Sequence, residues 1–277
     1  MHSKISMITV NRWPRWLCLS AYFLLMFACV WGEESKPLPA PLQQALAQPE
    51  GKERDKAVID AAVEWQKSDP AAALGWVVAQ PQSLLIRSIV IAVSQAWAKR
   101  DAPAAVACAW DFAKKFVKMP PKTLNDGYLL SALHLTLKQW ARSDPKAAVA
   151  WADTSVPADS SKDIMRWVFG SVGGGYAEVD PVAAAAWAEA VKDDEGRHWA
   201  FQAIAGTWSF FHKPEDAAVW AKRLPPAELK IDVVRPIFEA LYRRDAAKAT
   251  AWLDSLTIPD EMKAELKTKA ELKKPKP

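Results

Sequence analysis

Two groups of basic and aromatic residues are the part of this sequence best suited to binding chemistry. Arg166 precedes Trp167, and Arg197 and His198 precede Trp199. A guanidinium beside an indole attracts polar or anionic ligands through its charge and through the face of the ring. We predict that the two groups occupy equivalent places on neighbouring helices and bind a peptide, a glycan or an anionic polymer. The alternative is that both indoles pack as core.

The residues that could support catalysis or metal binding do not form a recognisable set. The sequence contains no His-Glu-x-x-His or Gly-x-Ser-x-Gly motif and no Cys/His cluster at metal-ligand spacing. Residues 193–196 lack the alternating ligands of a calcium loop, and His134 lies on an apolar stretch, where we predict a core histidine. The glycines at 173–175 lack the strand and the Lys-Ser/Thr of a phosphate loop, so we predict close helix packing there. We predict no catalytic residue, no metal and no cofactor.

The stretch from Trp140 to Trp151 recurs along the chain and accounts for most of its other conspicuous residues. Asp144 is a favoured N-cap, and Pro145 suits the first helical position because its missing N–H would have no partner there. Proline also disfavours a helical conformation at the preceding residue, so the earlier helix must end. Ala148 and Trp151 then lie on one face of the new helix. The stretch therefore predicts a helix, a tight turn and a second helix.

Six copies of this stretch align at their cap positions, which are residues 69, 101, 144, 180, 213 and 245. The intervals run from 32 to 43 residues, a period typical of stacked helical hairpins. One hairpin cannot bury its apolar face alone. We therefore predict an all-α fold, a right-handed-type α-solenoid of about six stacked αα-hairpins. The longest interval carries an insertion at 112–128, and Trp110 just before it is a further candidate binding residue.

The repeated unit, Trp-Ala-x-x-Asp-Pro-x-Ala-Ala-x-x-Trp, resembles the repeat of bacterial exported α-solenoid proteins of the TPR-like and HEAT-like kind. The resemblance covers residues 52–256 and implies a superhelix of helical hairpins. It implies no particular activity. The unit departs from the standard TPR pattern because the usual aromatic and Leu-Gly start is missing and Asp-Pro opens the second helix.

The first 32 residues resemble a targeting segment. Lys4, Arg12 and Arg15 precede an uncharged, largely apolar run at 16–31. That run is short for a membrane span, which needs about 20 residues, and Gly32 suits a cleavage site. We predict a signal peptide and an extracytoplasmic (periplasmic or secreted) protein. The alternatives are an uncleaved anchor at 16–31 and lipidation at Cys29.

Net charge bears on the class of partner that the chain binds, and cysteine content bears on whether it contains disulfides. The net charge is +4, but loss of the three leader cations leaves 33 basic against 32 acidic residues. A nearly neutral chain without a basic stripe is not typical of nucleic-acid binding. Cys108 would be the one cysteine left after cleavage, so we predict no disulfide framework.

These observations predict five segments and one function. The segments are a signal peptide or anchor (1–32), a Pro-rich linker (33–51), the repeat domain (52–258), a capping helix (259–272) and a disordered basic tail (273–277). We expect a non-catalytic scaffold that binds a protein or peptide partner. The alternatives are a cell-envelope glycan-binding or glycan-processing superhelical protein, and a purely structural repeat protein.

Overall fold

The computed structural model describes residues 37–81, 83–117, 126–157 and 159–272, and over these ranges the chain is helical without strands. The leader, the basic tail and the centre of the 112–128 insertion lie outside the described residues. Helix α1 (Ala40–Leu46) belongs to a compact unit that ends at Gln48, and all later helices belong to a second unit that begins at Pro49. Within the described ranges no helix is both long and apolar enough to cross a membrane.

Among its described residues, the second unit contains six helix pairs followed by one further helix, α14 (Asp260–Leu272). The first helices of the pairs are α2 (Lys52–Ser68), α4 (Leu84–Arg100), α6 (Asp126–Ser143), α8 (Lys162–Val179), α10 (Asp194–Phe211) and α12 (Ile231–Arg244). The second helices are α3 (Pro70–Val78), α5 (Ala102–Val117), α7 (Pro145–Ser155), α9 (Pro181–Ala190), α11 (Pro214–Ala221) and α13 (Ala246–Asp254). Pro236 lies inside α12 and does not mark its start.

The turn inside each pair is held by one repeated set of hydrogen bonds. At Asp144 the backbone N–H donates to the Trp140 carbonyl at 2.8 Å, and the carboxylate accepts from the Ala147 N–H at 3.1 Å. Both bonds use groups that a helix end leaves unpaired, which is why Asp is favoured here. The predicted helix starts are confirmed by equivalent side-chain caps at Asp69, Asp101, Asp180 and Asp245.

The fifth pair is the exception, because Lys213 at its cap position makes no side-chain cap. One extra residue, His212, takes over the bond to the Trp208 carbonyl at 3.0 Å. Its ring Nε2 lies 3.0 Å from the Ala177 carbonyl and 3.2 Å from the Glu178 carbonyl, at the end of α8. The ring of His212 therefore caps the end of the neighbouring helix.

Neighbouring pairs pack mainly through their first helices. Each first helix contacts the first helix before and after it, and each of α3, α5, α7, α9 and α11 contacts the first helix of its own pair and of the next. The alanine four residues after each cap position is fully buried, and its small size lets the helices approach. These alanines are Ala73, Ala105, Ala148, Ala184, Ala217 and Ala249.

Aromatic rings fill the space beside these alanines. The Trp65 and Trp76 rings lie 6.2 Å apart at 51°, and Trp140 and Trp151 repeat that geometry. Trp220 is 1 % exposed. These contacts tie the two helices of a pair together.

The glycines of α8 differ in how closely the neighbouring helices approach them. A Cβ at Gly175 would collide with the Lys138 carbonyl of α6, and one at Gly173 would lie 3.1 Å from the Ala200 carbonyl of α10. Both contacts are too close for an ordinary side chain, so the predicted close helix packing is confirmed at these two positions. Gly174, between them, would meet only ordinary contacts.

Candidate functional site

Three of the predicted binding residues come together on the surface of α8 and α10. The guanidinium of Arg166 lies 5.9 Å from the Trp167 ring centre and 5.1 Å from the Trp199 ring centre. Arg166 is exposed and both indoles are half-buried. The Trp199 N–H donates to Glu195 at 3.0 Å, which fixes the orientation of that ring. The result is a basic and aromatic cluster, Arg166–Trp167–Trp199, that is in part accessible to solvent.

Arg197 belongs to the framework and not to this cluster. Its guanidinium donates to Glu228 at 2.9 Å, to the Val191 carbonyl at 2.9 Å and to Asp194 at 2.5 Å. The hydrogen bond to Glu228, together with that to Asp194, raises the pKa of Arg197 although partial burial opposes the change. Arg197 therefore fastens the start of α10 to the short 3₁₀ turn Pro226–Glu228.

Trp110 also lies away from the cluster. It is 7 % exposed, and its ring meets the edge of the Trp151 ring at 5.6 Å. Lys114 lies 5.9 Å from the centre of the same ring. Trp110 thus occupies a core position between pairs, and little of its surface can reach a ligand.

A pocket of about 430 Å³ lies on the described surface between α6, α8, α10 and α12. It lies one to two helical turns beyond the Arg166–Trp167–Trp199 cluster on the same two central helices. Gly170, Gly174 and Gly206 line it together with Ala203 and Pro236. Its polar lining is His134, Lys138, Gln202, Thr207, Asp232 and Arg235.

The pocket arises from one repeat position that changes chemistry along the chain. Near the end of each first helix, one carbonyl accepts a hydrogen bond from the backbone N–H of the residue in the turn. The repeat position lies six residues before the residue that carries this carbonyl. In the first two pairs it holds Ile59 and Ile91. In the last four it holds His134, Gly170, Gln202 and Arg235, and all four line the pocket. Sequence reasoning missed this set because each residue is unremarkable until the copies are aligned.

His134 contributes an acceptor to the pocket. Its Nδ1 lies 2.8 Å from the Ser171 hydroxyl, and that hydroxyl donates its single proton to the Trp167 carbonyl. Burial, with Lys138 and Arg142 nearby, lowers the pKa of His134 from 6.5 to about 4. On this basis we assign the proton of the neutral ring to Nδ1, which leaves a lone pair on Nε2. The predicted core histidine is half-buried and lies at the edge of the pocket.

Acidic partners occupy the flanks of the pocket. Asp232 Oδ2 lies 3.0 Å from Nε2 of the buried His198; burial acts to raise the pKa of Asp232, but the hydrogen bond and charge of His198 outweigh it, so the pKa is lowered. Glu178 binds Lys138 at 2.9 Å and also binds Arg142. Burial again opposes ionisation of Glu178, yet its two cationic partners lower its pKa. Lys138 is thus largely neutralised before any ligand arrives.

The glycines that line the pocket are not required by helix packing. A Cβ at Gly206 would meet nothing within 4 Å, and one at Gly170 would lie 3.8 Å from the Trp199 carbonyl. At Gly174 the nearest atom would be the Thr207 hydroxyl at 3.5 Å. Glycine in a helix interior is less favourable than alanine by about 1 kcal/mol. Alanine at these three positions would therefore give a more stable helix without a clash with a neighbouring helix.

The described residues contain no group of three His, Cys, Asp or Glu side chains placed to hold a metal ion. The site is thus a polar pocket with unpaired hydrogen-bonding groups beside a basic and aromatic cluster, an arrangement suited to binding. Comparison of the chain with protein-family models, with curated proteins and with solved structures found no match.

Proposed function

We propose that residues 52–258 form a non-catalytic scaffold outside the cytoplasm that binds a protein partner through an extended polypeptide segment. The segment lies across the first helices, and its centre is the pocket between α6 and α12. The observation that carries this proposal is the change at one repeat position from Ile59 and Ile91 to the four residues that line the pocket. A surface that is opened and made polar in one part of a repeat array is typical of a binding surface.

The same proposal includes the stacking of the six pairs as a right-handed-type α-solenoid of the TPR-like or HEAT-like kind. Support comes from the contacts, because every first helix packs against its neighbours in chain order. Such stacking aligns equivalent positions of successive helices in a row. A row of this kind suits a ligand that is itself extended.

Selection from a library of random short peptides tests the proposal. The chain from residue 33 onward is the target, and Gly206→Trp is the variant, because a side chain at Gly206 points into open space in the pocket. We expect selected peptides to bind Gly206→Trp at least about tenfold more weakly, which is about 1.4 kcal/mol.

The matched control is Gln95→Trp, which places the same bulk at the equivalent position of α4, outside the pocket. This control should bind the selected peptides as the parent does. Equal binding by the parent and by Gly206→Trp would contradict the proposal, and so would a library that yields no peptide.

A second candidate function is binding of cell-envelope glycan. The observation that favours it is the Arg166–Trp167–Trp199 cluster, because sugars bind to exposed aromatic faces beside polar groups. Soluble cell-wall oligosaccharides should then bind the parent and fail to bind the double variant Trp167→Ala, Trp199→Ala. Absence of oligosaccharide binding by the parent would reject this function and leave the peptide scaffold in place.

A purely structural role is disfavoured by a pair of exposed rings. Phe210 and Phe211 are 76 % and 56 % exposed, and their centres lie 4.9 Å apart. Clustered exposed aromatic side chains are uncommon on proteins that bind nothing. A protein partner that covers this pair would fit the scaffold proposal.

A further inference from the structure

We propose that the pocket binds the main chain of the bound segment and does not recognise its side chains. One peptide group lies flat on the helix backbone at Gly170, Gly174 and Gly206, its N–H donates to Nε2 of His134, and its carbonyl accepts from the amide of Gln202. This inference rests on the proposed scaffold function and names the part of the partner that the pocket recognises.

His134 specifies the donor side of the ligand. The proton of the Ser171 hydroxyl is committed to the Trp167 carbonyl, so that oxygen accepts from Nδ1 of His134. With this assignment Nε2 is a bare acceptor on a residue that lines the pocket, and none of the described residues donates to it. A group that lies in the pocket must bring an N–H or O–H to satisfy it.

The charges around His134 largely offset one another, which suits a neutral donor. Lys138 lines the pocket, Arg142 lies within the same charged group, and the Glu178 carboxylate is shared between them. Arg235 also lines the pocket, and its nearest carboxylate is Glu265 at 4.0 Å. Asp232 lines the pocket as well, so acidic and basic groups are both present, and a neutral amide N–H can bind here without a counter-charge of its own.

The other free groups of the pocket match an amide as well. Gln202 and Thr207 line the pocket, and neither side chain has a hydrogen-bond partner among the described residues. Gln202 occupies the repeat position that His134 occupies two pairs earlier. A donor and an acceptor at equivalent positions of a repeat can hold the N–H and the carbonyl of one extended chain.

The space over the glycines fits a planar group. A peptide group is flat and almost always trans, and it can approach a helix surface most closely where no Cβ intervenes. At Gly206 a Cβ would have open space around it, so the missing atom leaves room on the pocket side of α10. Gly206→Ala should therefore fill that room without disturbing the helices.

Titration with N-acetyl-tetra-alanine amide, followed by NMR, tests the inference in the chain from residue 33 onward. The expected result is a shift of the His134 Nε2 nitrogen signal as the ligand N–H binds to it. The comparison ligand is the same tetrapeptide with each alanine N-methylated and the C-terminal amide dimethylated, which keeps the carbonyls and removes every N–H donor. It should bind about tenfold more weakly, as expected for loss of one hydrogen bond to a buried acceptor.

Two variants and one control substitution sharpen this test. Gly206→Ala should weaken binding of the alanine peptide about tenfold while its melting temperature stays at or above that of the parent. Gln95→Ala, at the equivalent position of α4, should change neither property. His134→Gln should weaken binding of the alanine peptide more than that of its N-methylated form.

The outcomes separate this inference from the scaffold function. Equal binding of the two peptides, or no binding of either, overturns main-chain recognition. If library-selected peptides nevertheless bind and are lost in Gly206→Trp, the scaffold function stands and the pocket reads side chains. Binding of N-acetylglucosamine in place of the peptide, with the same His134 shift, also overturns the inference, because a sugar hydroxyl would then be the donor.

Discussion

At the scale of single residues, glycine has two opposite roles within a few helical turns. Gly175 allows the α6 backbone to approach, since a Cβ there would collide with the Lys138 carbonyl and lie 2.8 Å from Ala141. At Gly206, by contrast, a Cβ would meet no atom within 4 Å. The two positions look alike in the sequence, and only the neighbouring helix distinguishes them.

This difference predicts opposite effects of one substitution. Gly206→Ala should raise the free energy of unfolding by up to about 1 kcal/mol, because alanine has the higher helix propensity and meets no obstacle. Gly175→Ala should lower it by about 1–3 kcal/mol, because the backbone of α6 must move away. Urea unfolding followed by circular dichroism measures both, and destabilisation by Gly206→Ala would show that its space is not free.

His134 predicts a dependence of stability on pH. Its pKa is about 4 in the folded protein and 6.5 when unperturbed, so between these values the unfolded chain binds the additional proton. Stability from this group is complete above about pH 6.5 and is lost as the pH falls to about 4, by up to about 3 kcal/mol.

Urea unfolding at several pH values across that window measures the effect, with His134→Gln as the control. The loss on acidification should be smaller in His134→Gln than in the parent, while carboxylates such as Glu178 contribute equally to both. Parallel curves for the two proteins would contradict the burial of a neutral ring.

Residue types alone predicted part of the candidate site. The Arg166–Trp167–Trp199 cluster forms as equivalent spacing on two helices indicated. Arg197 could not be separated from Arg166 by sequence, because its partner Glu228 lies 31 residues later, in the turn that follows the second helix of its own pair. The pocket was also beyond sequence reasoning, since its lining comes from four helices and no single helix carries the pattern.

At the scale of the helix, local rules were sufficient for most of the fold. Asp followed by Pro specifies a helix end and a helix start within two residues, and the bonds at Asp69, Asp144 and Asp180 follow that rule. Pro236 lies inside α12, so a proline without a preceding Asp gives no helix boundary by itself. The packing of successive pairs against one another was predicted from the repeat period, which these local rules do not determine.

The caps predict how single helices respond to substitution. Asp144→Ala should lower the free energy of unfolding by about 1 kcal/mol, because the Ala147 N–H loses its acceptor. Lys213→Asp should raise it by about the same amount, because it supplies the carboxylate that the fifth pair lacks. Thermal unfolding of each variant beside the parent gives both values, and a destabilised Lys213→Asp would show that repulsion from Glu215 and Asp216 outweighs the new cap.

At the scale of the whole molecule, the array of pairs must end without an exposed apolar face. Helix α14 packs against α12 and α13 and differs from the repeats in its polar composition. Leu266 and Ala270 of α14 are 2 % and 6 % exposed, and Lys267 reaches Asp254 at 2.6 Å. A mostly polar helix with a narrow apolar stripe is what the last position of a repeat array requires.

Deletion of residues 259–277 should therefore destabilise the array from its C-terminal end. The free energy of unfolding should fall by at least about 2 kcal/mol, the value of burying one leucine side chain. The apolar surface of α12 and α13 should also become accessible, so a hydrophobic dye should bind to the deletion variant and not to the parent. Deletion of residues 273–277 alone is the control, and it should leave both properties unchanged because Leu266 stays buried. An unfolding curve that is the same with and without α14 would mean that the array ends at α13 and that α14 stabilises nothing.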